Sequence, residues 1–388
     1  MKKVLLLFFM VAIFECIYSQ SSINPDISLI GTFNTFTNFI KGTPEYGKLN
    51  FETPEMELFV DGYLNPFARA TANIAYEEGE FAVEELYVNI VRGLPLDLQL
   101  KAGKYLVGFG KINTIHPHAW LFIDRPLFHQ VFFSPEGFNE VGASLSYLLP
   151  TGDLYSNLEI GVYNGQSIPM LIDTNAVERG INPIIVGRLN SFFNIGDYTN
   201  LEVGLSASYG CYSKAILNSS EDINTAMEEK PLNYLYTGID FKYKYSPDSY
   251  SAITIQGEAI LNYRDAVRQG SFGINSNIDE VKKISNVGGF IYADYKFEKQ
   301  FGIGIKYDYT AGINDDEPSL TTLMNDDKNN TQGIEGWISY YPVEETSALR
   351  LGVQHLMFKY DDGTERDGKT TIKLQLLFSL GPHKAHPF

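Results

Sequence analysis

Cysteine is nearly missing from this chain: two residues in 388. Cys16 falls in a leading apolar stretch and Cys211 stands alone in the remainder, so no internal disulfide can staple the mature fold. Long apolar runs are missing too. Beyond the leading stretch, Gly, Asn or a charge interrupts every apolar run within about ten residues, half of what a transmembrane helix needs. Positive charge is scarce, with 30 Lys and Arg against 47 Asp and Glu and a formal net charge of −17. That balance excludes the basic footprint of a nucleic-acid-binding protein.

The leading stretch reads as a secretion signal. Lys2 and Lys3 precede an apolar run from Val4 to Ile13, too short to span a bilayer as a helix, and Ser19 before Gln20 suits cleavage. Ile13, Phe14 and Glu15 lack the small side chains that lipidation at Cys16 requires. The expected organisation is a signal peptide over 1–19 and one domain over 20–388.

What the domain has is period-two alternation. Ile372, Leu374, Leu376, Phe378 and Leu380 leave one face of a strand, and Lys373, Gln375, Leu377 and Ser379 leave the other. The stretch from Phe301 to Tyr309 repeats the pattern. Alternation predicts strands near 27–39, 51–63, 67–76, 81–91, 96–106, 140–149, 157–164, 184–195, 201–212, 233–246, 252–263, 287–297, 301–310, 333–341, 348–360 and 370–380. Short links such as Asn65-Pro66, Ser246-Pro247-Asp248 and Glu298-Lys299-Gln300 alternate with long ones, about 107–139, 165–183, 213–232, 264–286 and 311–332. An exported chain with 26 Phe and 25 Tyr and no spanning helix can satisfy its backbone in lipid only as a closed barrel. The fold class is therefore all-β: a transmembrane antiparallel β-barrel of about 16 strands, within 14–18, in the bacterial cell outer membrane.

Polar positions read as inward give Arg69, Asp97, Gln99, Lys101, Glu159, Glu202, Asp240, Lys242, Lys244, Gln256, Glu258, Asp294, Lys296, Lys306, Asp308, Arg350 and Lys373. So many charges of both signs are tolerable beside water and prohibitive in a dry core. A barrel of this size is wide enough for an aqueous channel, so these residues are expected to line a pore.

The third outer loop, 107–139, is too apolar to wave in water: Trp120, Leu121, Phe122, Ile123, Leu127, Phe128, Val131, Phe132 and Phe133 need burial. It is expected to fold inward and narrow the barrel. It also carries three of the six histidines, and His116-x-His118 could offer two imidazoles to zinc or copper, with Asp124 or His129 completing the set. The other reading is a packed loop whose histidines bond to backbone and wall.

The run Lys101-Ala102-Gly103-Lys104 through His116-Pro117-His118-Ala119-Trp120, with Phe122, Asp124 and Arg125-Pro126-Leu127, resembles a family of porin-sized bacterial outer-membrane proteins often named zinc-regulated TonB-dependent outer-membrane receptors. The opening 24–30 and the ending 381–388 are similar to that family as well. The chain has room for neither a plug domain nor a 22-strand barrel, so the resemblance implies a plug-less, porin-sized member. The architecture is also similar to phosphate- and anion-selective porins, although no run of lumen arginines and lysines carries over their substrate.

The expected function is a porin-like passive channel for small hydrophilic solutes, without catalysis and without a required cofactor. A metal-responsive binding or uptake barrel is the alternative, capturing zinc through His116 and His118 and the tail pair His383 and His386. A barrel hydrolase built on His355 is a remote third, since no partner nucleophile stands out. Carboxylates crowd the outer loops at Glu221, Asp222, Glu228, Glu229, Asp315, Asp316, Glu317, Asp326, Asp327, Asp361, Asp362, Glu365 and Asp367. They are expected to favour cations weakly and to hold calcium bridging to lipopolysaccharide. The expected partners are outer-membrane lipid and lipopolysaccharide, a small solute and, as a homotrimer, two further copies.

Overall fold

The last strand returns to the first. Leu29 to Phe39 pair antiparallel with Leu380 to Thr370, and this ladder closes the sheet into a barrel. The computed structural model describes residues 25–381 except 45, 78, 153, 170–176, 179–182, 218–227, 270–277, 314–327, 344–345 and 361–367. The first half of the wall comprises β1 (Asp26–Phe39), β2 (Leu49–Phe51), β3 (Glu55–Asn65), β4 (Ala68–Glu77), β5 (Glu80–Ile90), β6 (Gln99–Leu106), β7 (Asn139–Leu149), β8 (Tyr155–Tyr163) and β9 (Val177–Glu178). The second half comprises β10 (Ile184–Asn194), β11 (Thr199–Leu217), β12 (Glu228–Tyr245), β13 (Ala252–Gln269), β14 (Ile278–Phe297), β15 (Phe301–Ala311), β16 (Asn330–Tyr340), β17 (Ser347–Lys359) and β18 (Lys369–Leu380). The short β2 continues the line of β3 against β1, and β9 continues β10 against β11. The wall therefore has 16 antiparallel staves. Among the described residues no helix is long and apolar enough to cross a membrane.

Alternation decides the two faces. On β15, Ile303, Ile305 and Tyr307 are exposed while Lys306 and Asp308 are buried; on β16, Ile334 and Ile338 are exposed while Thr331, Glu335, Trp337 and Ser339 are buried. Exposed apolar side chains recur on stave after stave, the signature of a wall facing lipid. Exposed rings sit at both limits of that band. Tyr63, Phe67, Tyr198, Tyr250 and Tyr340 lie by the short turns, and Phe51, Phe81, Tyr209 and Tyr263 lie toward the long links. Ten residues of strand tilted by about 40° rise roughly 25 Å, the height of a lipid-facing band.

Two expectations need correction. β11 to β14 run 18 to 20 residues, so half of the expected loop 213–232 and most of the expected loop 264–286 are strand. About ten residues cross the membrane; above it the ladder continues in water, where neither face must be apolar, and alternation fades although pairing does not. The strand expected at 96–106 begins at Gln99, because Pro95–Asp97 forms a 3-10 turn with positive φ at Leu96 and Asp97. Asp97 is thus a turn residue and not an inward strand position.

Candidate functional site

The chain leaves the wall at Leu106, the end of β6, and rejoins it at Asn139, the start of β7. Between them Asn113 ties the two ends together. Its Nδ2 donates to the carbonyls of Val107 at 2.7 Å and Phe138 at 3.0 Å, and its Oδ1 accepts from the Phe138 N–H at 2.9 Å. Two 3-10 turns, Ile112–Thr114 and Pro117–Ala119, and the short helix α1 (Leu127–Phe132) follow. Proline at the head of the second turn and just before α1 fixes the φ that each start requires. The segment's rings then meet rings of the wall. Phe122 packs edge-on against Tyr292 (5.2 Å between centroids) and Trp337 (6.2 Å), and Phe128 stacks on Phe290 at 6.0 Å. Each buried ring contributes about 1.5–3 kcal/mol, which is why this stretch cannot remain in water.

Polar groups of the segment reach inward-facing side chains all around the barrel. Lys111 pairs with Glu202 of β11 at 2.7 Å, and the Gly110 N–H donates to Ser206 at 3.1 Å. Gly110 holds φ +68, and a Cβ there would collide with the Glu258 carboxylate on β13, which accepts from the Ile112 N–H. The Ile123 N–H donates to Glu335 of β16 at 2.8 Å, and the Leu127 N–H to Asp308 of β15 at 3.4 Å. Asp124 pairs with Lys373 of β18 at 3.0 Å, and its carbonyl accepts from the fully buried Lys306. Lys306 also pairs with Glu335 at 2.8 Å and Asp308 at 3.2 Å, so one cation joins two wall carboxylates to the segment.

A second cluster forms where His116 and His118 meet β3 and β5. His116 Nε2 lies 3.1 Å from Glu85, and its Nδ1 lies 3.5 Å from Glu57 and 3.8 Å from Glu84. His118 Nδ1 is 2.9 Å from Glu57. Glu84 and Glu85 are consecutive and should leave opposite faces. The register slips between Asn73 and Ile74 of β4, and this bulge brings both carboxylates to the histidine. Burial opposes charge on His116, but the Glu85 hydrogen bond and the charges of Glu57, Glu85 and Glu84 outweigh it and raise its pKa to about 9. His129 behaves oppositely. Its Nε2 donates to Asn113 Oδ1 at 2.9 Å and its Nδ1 accepts from Arg125 at 3.3 Å. Burial first, then the adjacent Arg125 cation, hold its pKa well below the ordinary histidine value.

The expected metal set is therefore divided. His116 and His118 come together with Glu57, whereas Asp124 is taken by Lys373 and His129 by Asn113 and Arg125. Glu57, Glu84 and Glu85 escaped the sequence reading, yet the bulge left a trace: exposed Phe81 and Val83 keep one parity, exposed Leu86 and Val88 the other. The remaining expected lumen residues sit on inward positions of their strands. Arg69 pairs with Asp61, Lys101 lies over the Tyr87 and Tyr105 rings at 4.0 and 4.1 Å, and Glu159 borders Gly108 of the segment. Asp240 holds Arg188 in a two-point pair at 2.6 and 2.9 Å, Asp294 accepts from Trp337 at 3.0 Å, and Arg350 donates to Gln375 at 3.1 Å. Arg188 was not anticipated. His355 is exposed on the outer face, with Nδ1 2.8 Å from the Thr370 hydroxyl. The signal stretch 1–19, the tail pair His383 and His386, and the loop carboxylates of 221–222, 315–317, 326–327 and 361–367 lie outside the described residues, as do the side chains of Glu228 and Glu229.

On the short-turn side of the segment lies a cavity of about 500 Å³. Its roof is Ile112, Ile115, His118, Trp120 and Phe122, and its wall includes Lys242, Lys244, Lys296, Lys299 and Arg350 with only Asp248 and Asp294 as acids. Asp248 is engaged in its turn, accepting from the N–H groups of Tyr250 and Ser251 at 2.7 Å.

No family model matches the chain. An uncharacterized protein of Aquifex aeolicus (strain VF5) is 28% identical over 407 aligned positions, covering 96% of this chain and 81% of its own length. Among solved structures, the outer-membrane channel DcaP of Acinetobacter baumannii is similar with a TM-score of 0.56 at 12% identity, over 92% of this chain and 97% of that one. The anion-selective porin from Comamonas acidovorans gives 0.54 at 9% identity, over 91% and 98%. OmpT, an outer-membrane protein of Vibrio cholerae in its trimer form, gives 0.51 at 7% identity, over 92% and 99%. These likenesses bear on the barrel and not on the zinc-regulated receptor class. The fold is that of bacterial outer-membrane porins, and its exposed apolar band places the chain in that membrane.

Proposed function

We propose that this chain is a passive, non-enzymatic channel for small hydrophilic solutes, narrowed by the inward-folded segment 107–139. The observation that carries the reading is a closed barrel whose interior bears charges of both signs, with a cavity of about 500 Å³ lined by Lys242, Lys244, Lys296 and Arg350 beneath the segment. Such a lining suits water and small polar solutes, and a dry core would not tolerate it. The barrel needs no cofactor for this, since a solute gradient drives the flux. A homotrimer fits the reading, because OmpT of Vibrio cholerae, similar in fold, occurs in a trimer form. The test is conductance and reversal potential of purified, heat-modifiable protein in planar bilayers. Discrete ohmic steps are expected; a well-inserted barrel that passes no current would end the reading.

A further inference from the structure

The cluster at β3 and β5 holds a donor set that conduction does not require. One donor atom each from Glu57, His116 and His118 lies within 4.8 Å of the others, the one such group among the described residues. The two imidazoles are near-parallel, 13° apart with centroids at 5.6 Å, so both Nδ1 atoms face the Glu57 carboxylate. Glu84 stands 3.8 Å from the same Nδ1 of His116 and can supply a further oxygen. Around these donors the supporting contacts are those a metal centre uses. Glu85 faces the far nitrogen of His116 at 3.1 Å, the position from which a carboxylate fixes the ring tautomer and leaves Nδ1 its lone pair. Asn73, fully buried, donates to Glu57 and to Glu84 at 2.9 Å each and aims both carboxylates. Two imidazole nitrogens with carboxylate oxygens suit a borderline divalent ion of the zinc type, whereas calcium and magnesium prefer all-oxygen shells.

We infer that Glu57, His116 and His118, with Glu84 as fourth donor, form a binding site for a zinc-type divalent cation. The ion joins segment 107–139 to β3 and β5, so it clamps the segment to the wall. The site stands whether or not the barrel conducts, and its test is a binding measurement. Full-length protein in detergent, stripped with EDTA, is titrated with Zn²⁺ by calorimetry and assayed for bound metal after dialysis. One Zn²⁺ per chain is expected, undiminished by an excess of Ca²⁺ or Mg²⁺. The H116A/H118A double variant and E57Q should each weaken binding at least about 100-fold. E85Q should keep the stoichiometry and weaken binding roughly 10–100-fold, as loss of an outer-shell partner does. H355A, on the outer face, should change nothing. Cobalt bound to wild-type protein reads the coordination without any variant: intense visible bands of a four-coordinate N/O site are expected. Three results would overturn the inference: no stoichiometric Zn²⁺, binding that survives H116A/H118A, or only the weak spectrum of six-coordinate cobalt.

Discussion

His129 Nε2 donates to Asn113 Oδ1 at 2.9 Å, and through that bond α1 is fastened to the base of the segment it belongs to. Asn113 already bridges Val107 and Phe138, the two points where the segment leaves and rejoins the wall. One buried amide therefore serves four partners, two carbonyls and two N–H groups. Asn113→Ala strands the two N–H groups, of Phe138 and His129, while the Val107 and Phe138 carbonyls keep the N–H groups of Phe109 and Val107. At about 1–3 kcal/mol per buried polar group stranded, docking of the segment should weaken by roughly 3–5 kcal/mol. Limited proteolysis should then cut within 107–139 far faster than in wild type, while the barrel stays heat-modifiable. Equal cutting rates would mean that the wall contacts alone hold the segment.

The same bond has a pH dependence of definite sign. His129 keeps a depressed pKa while docked, from burial and then Arg125, and returns toward about 6.5 when released. Below that value the released segment takes a proton that the docked one refuses, so docking weakens as pH falls; above it this group contributes no slope. His116, with its docked pKa raised to about 9, acts in the opposite sense over the same range, so the His129 part is read by difference. His129→Gln retains a donor for Asn113 and cannot titrate, so the ratio of amide-exchange rates in 107–139 at pH 5.5 and 7.5, corrected for intrinsic rates, should be larger in wild type than in the variant. Equal ratios in the two proteins would mean that His129 does not contribute to the slope.

Sequence periodicity made the wall legible because lipid enforces it. A polar side chain on the outer face is costly in hydrocarbon, so Ile303, Ile305 and Tyr307 could only alternate with Gly304, Lys306 and Asp308. Where lipid ends the constraint ends, and the upper parts of β11 to β14 read as loops although they pair. The inner segment was legible as buried, from Trp120, Phe122 and Phe128, but its partners were not. Asp124 and His129 look like natural companions of His116 and His118 in the chain, yet three-dimensional closure gives Asp124 to Lys373 on the last strand. Glu57 and Glu84 come from staves that only the barrel brings to the segment. Glu84 further depends on a bulge, visible in retrospect as the parity jump between Val83 and Leu86.

The segment's effect on conduction follows from the contacts that hold it. Deleting about 112–130 removes His116, His118 and His129, the aromatic roof of the cavity and the partners of Glu258 and Glu335. Conductance should rise severalfold while the barrel still inserts. Lys306→Met is the milder version. It strands Glu335 and Asp308, and breaking one partner of such a buried network costs about 3–5 kcal/mol. Its channels should open to intermediate or flickering levels. Unchanged conductance in well-inserted deletion protein would place the current path clear of the segment.

Charge selectivity should be set by opposing ends. The outer-loop carboxylates are expected to favour cations on one side. On the other, the cavity below the segment carries Lys242, Lys244, Lys296, Lys299 and Arg350, while its acids Asp294 and Asp248 are engaged by Trp337 and by a turn. At 0.1 M salt the screening length is about 10 Å, so ions that enter a cavity lined by those cations feel them. At 1 M the length falls to about 3 Å and the influence should fade. The triple variant K242Q/K244Q/K296Q should therefore move the reversal potential toward cation preference at low salt and leave it nearly unmoved at 1 M. Neutralising Asp315, Asp316, Glu317, Asp326 and Asp327 to Asn and Gln should move it toward anions. The two sets act on opposite mouths, so each should also alter the asymmetry of current with voltage in opposite senses. A lysine triple whose low-salt reversal potential matches wild type would show that permeating ions bypass the basic cavity, and the path through the barrel would have to be redrawn along another part of the wall.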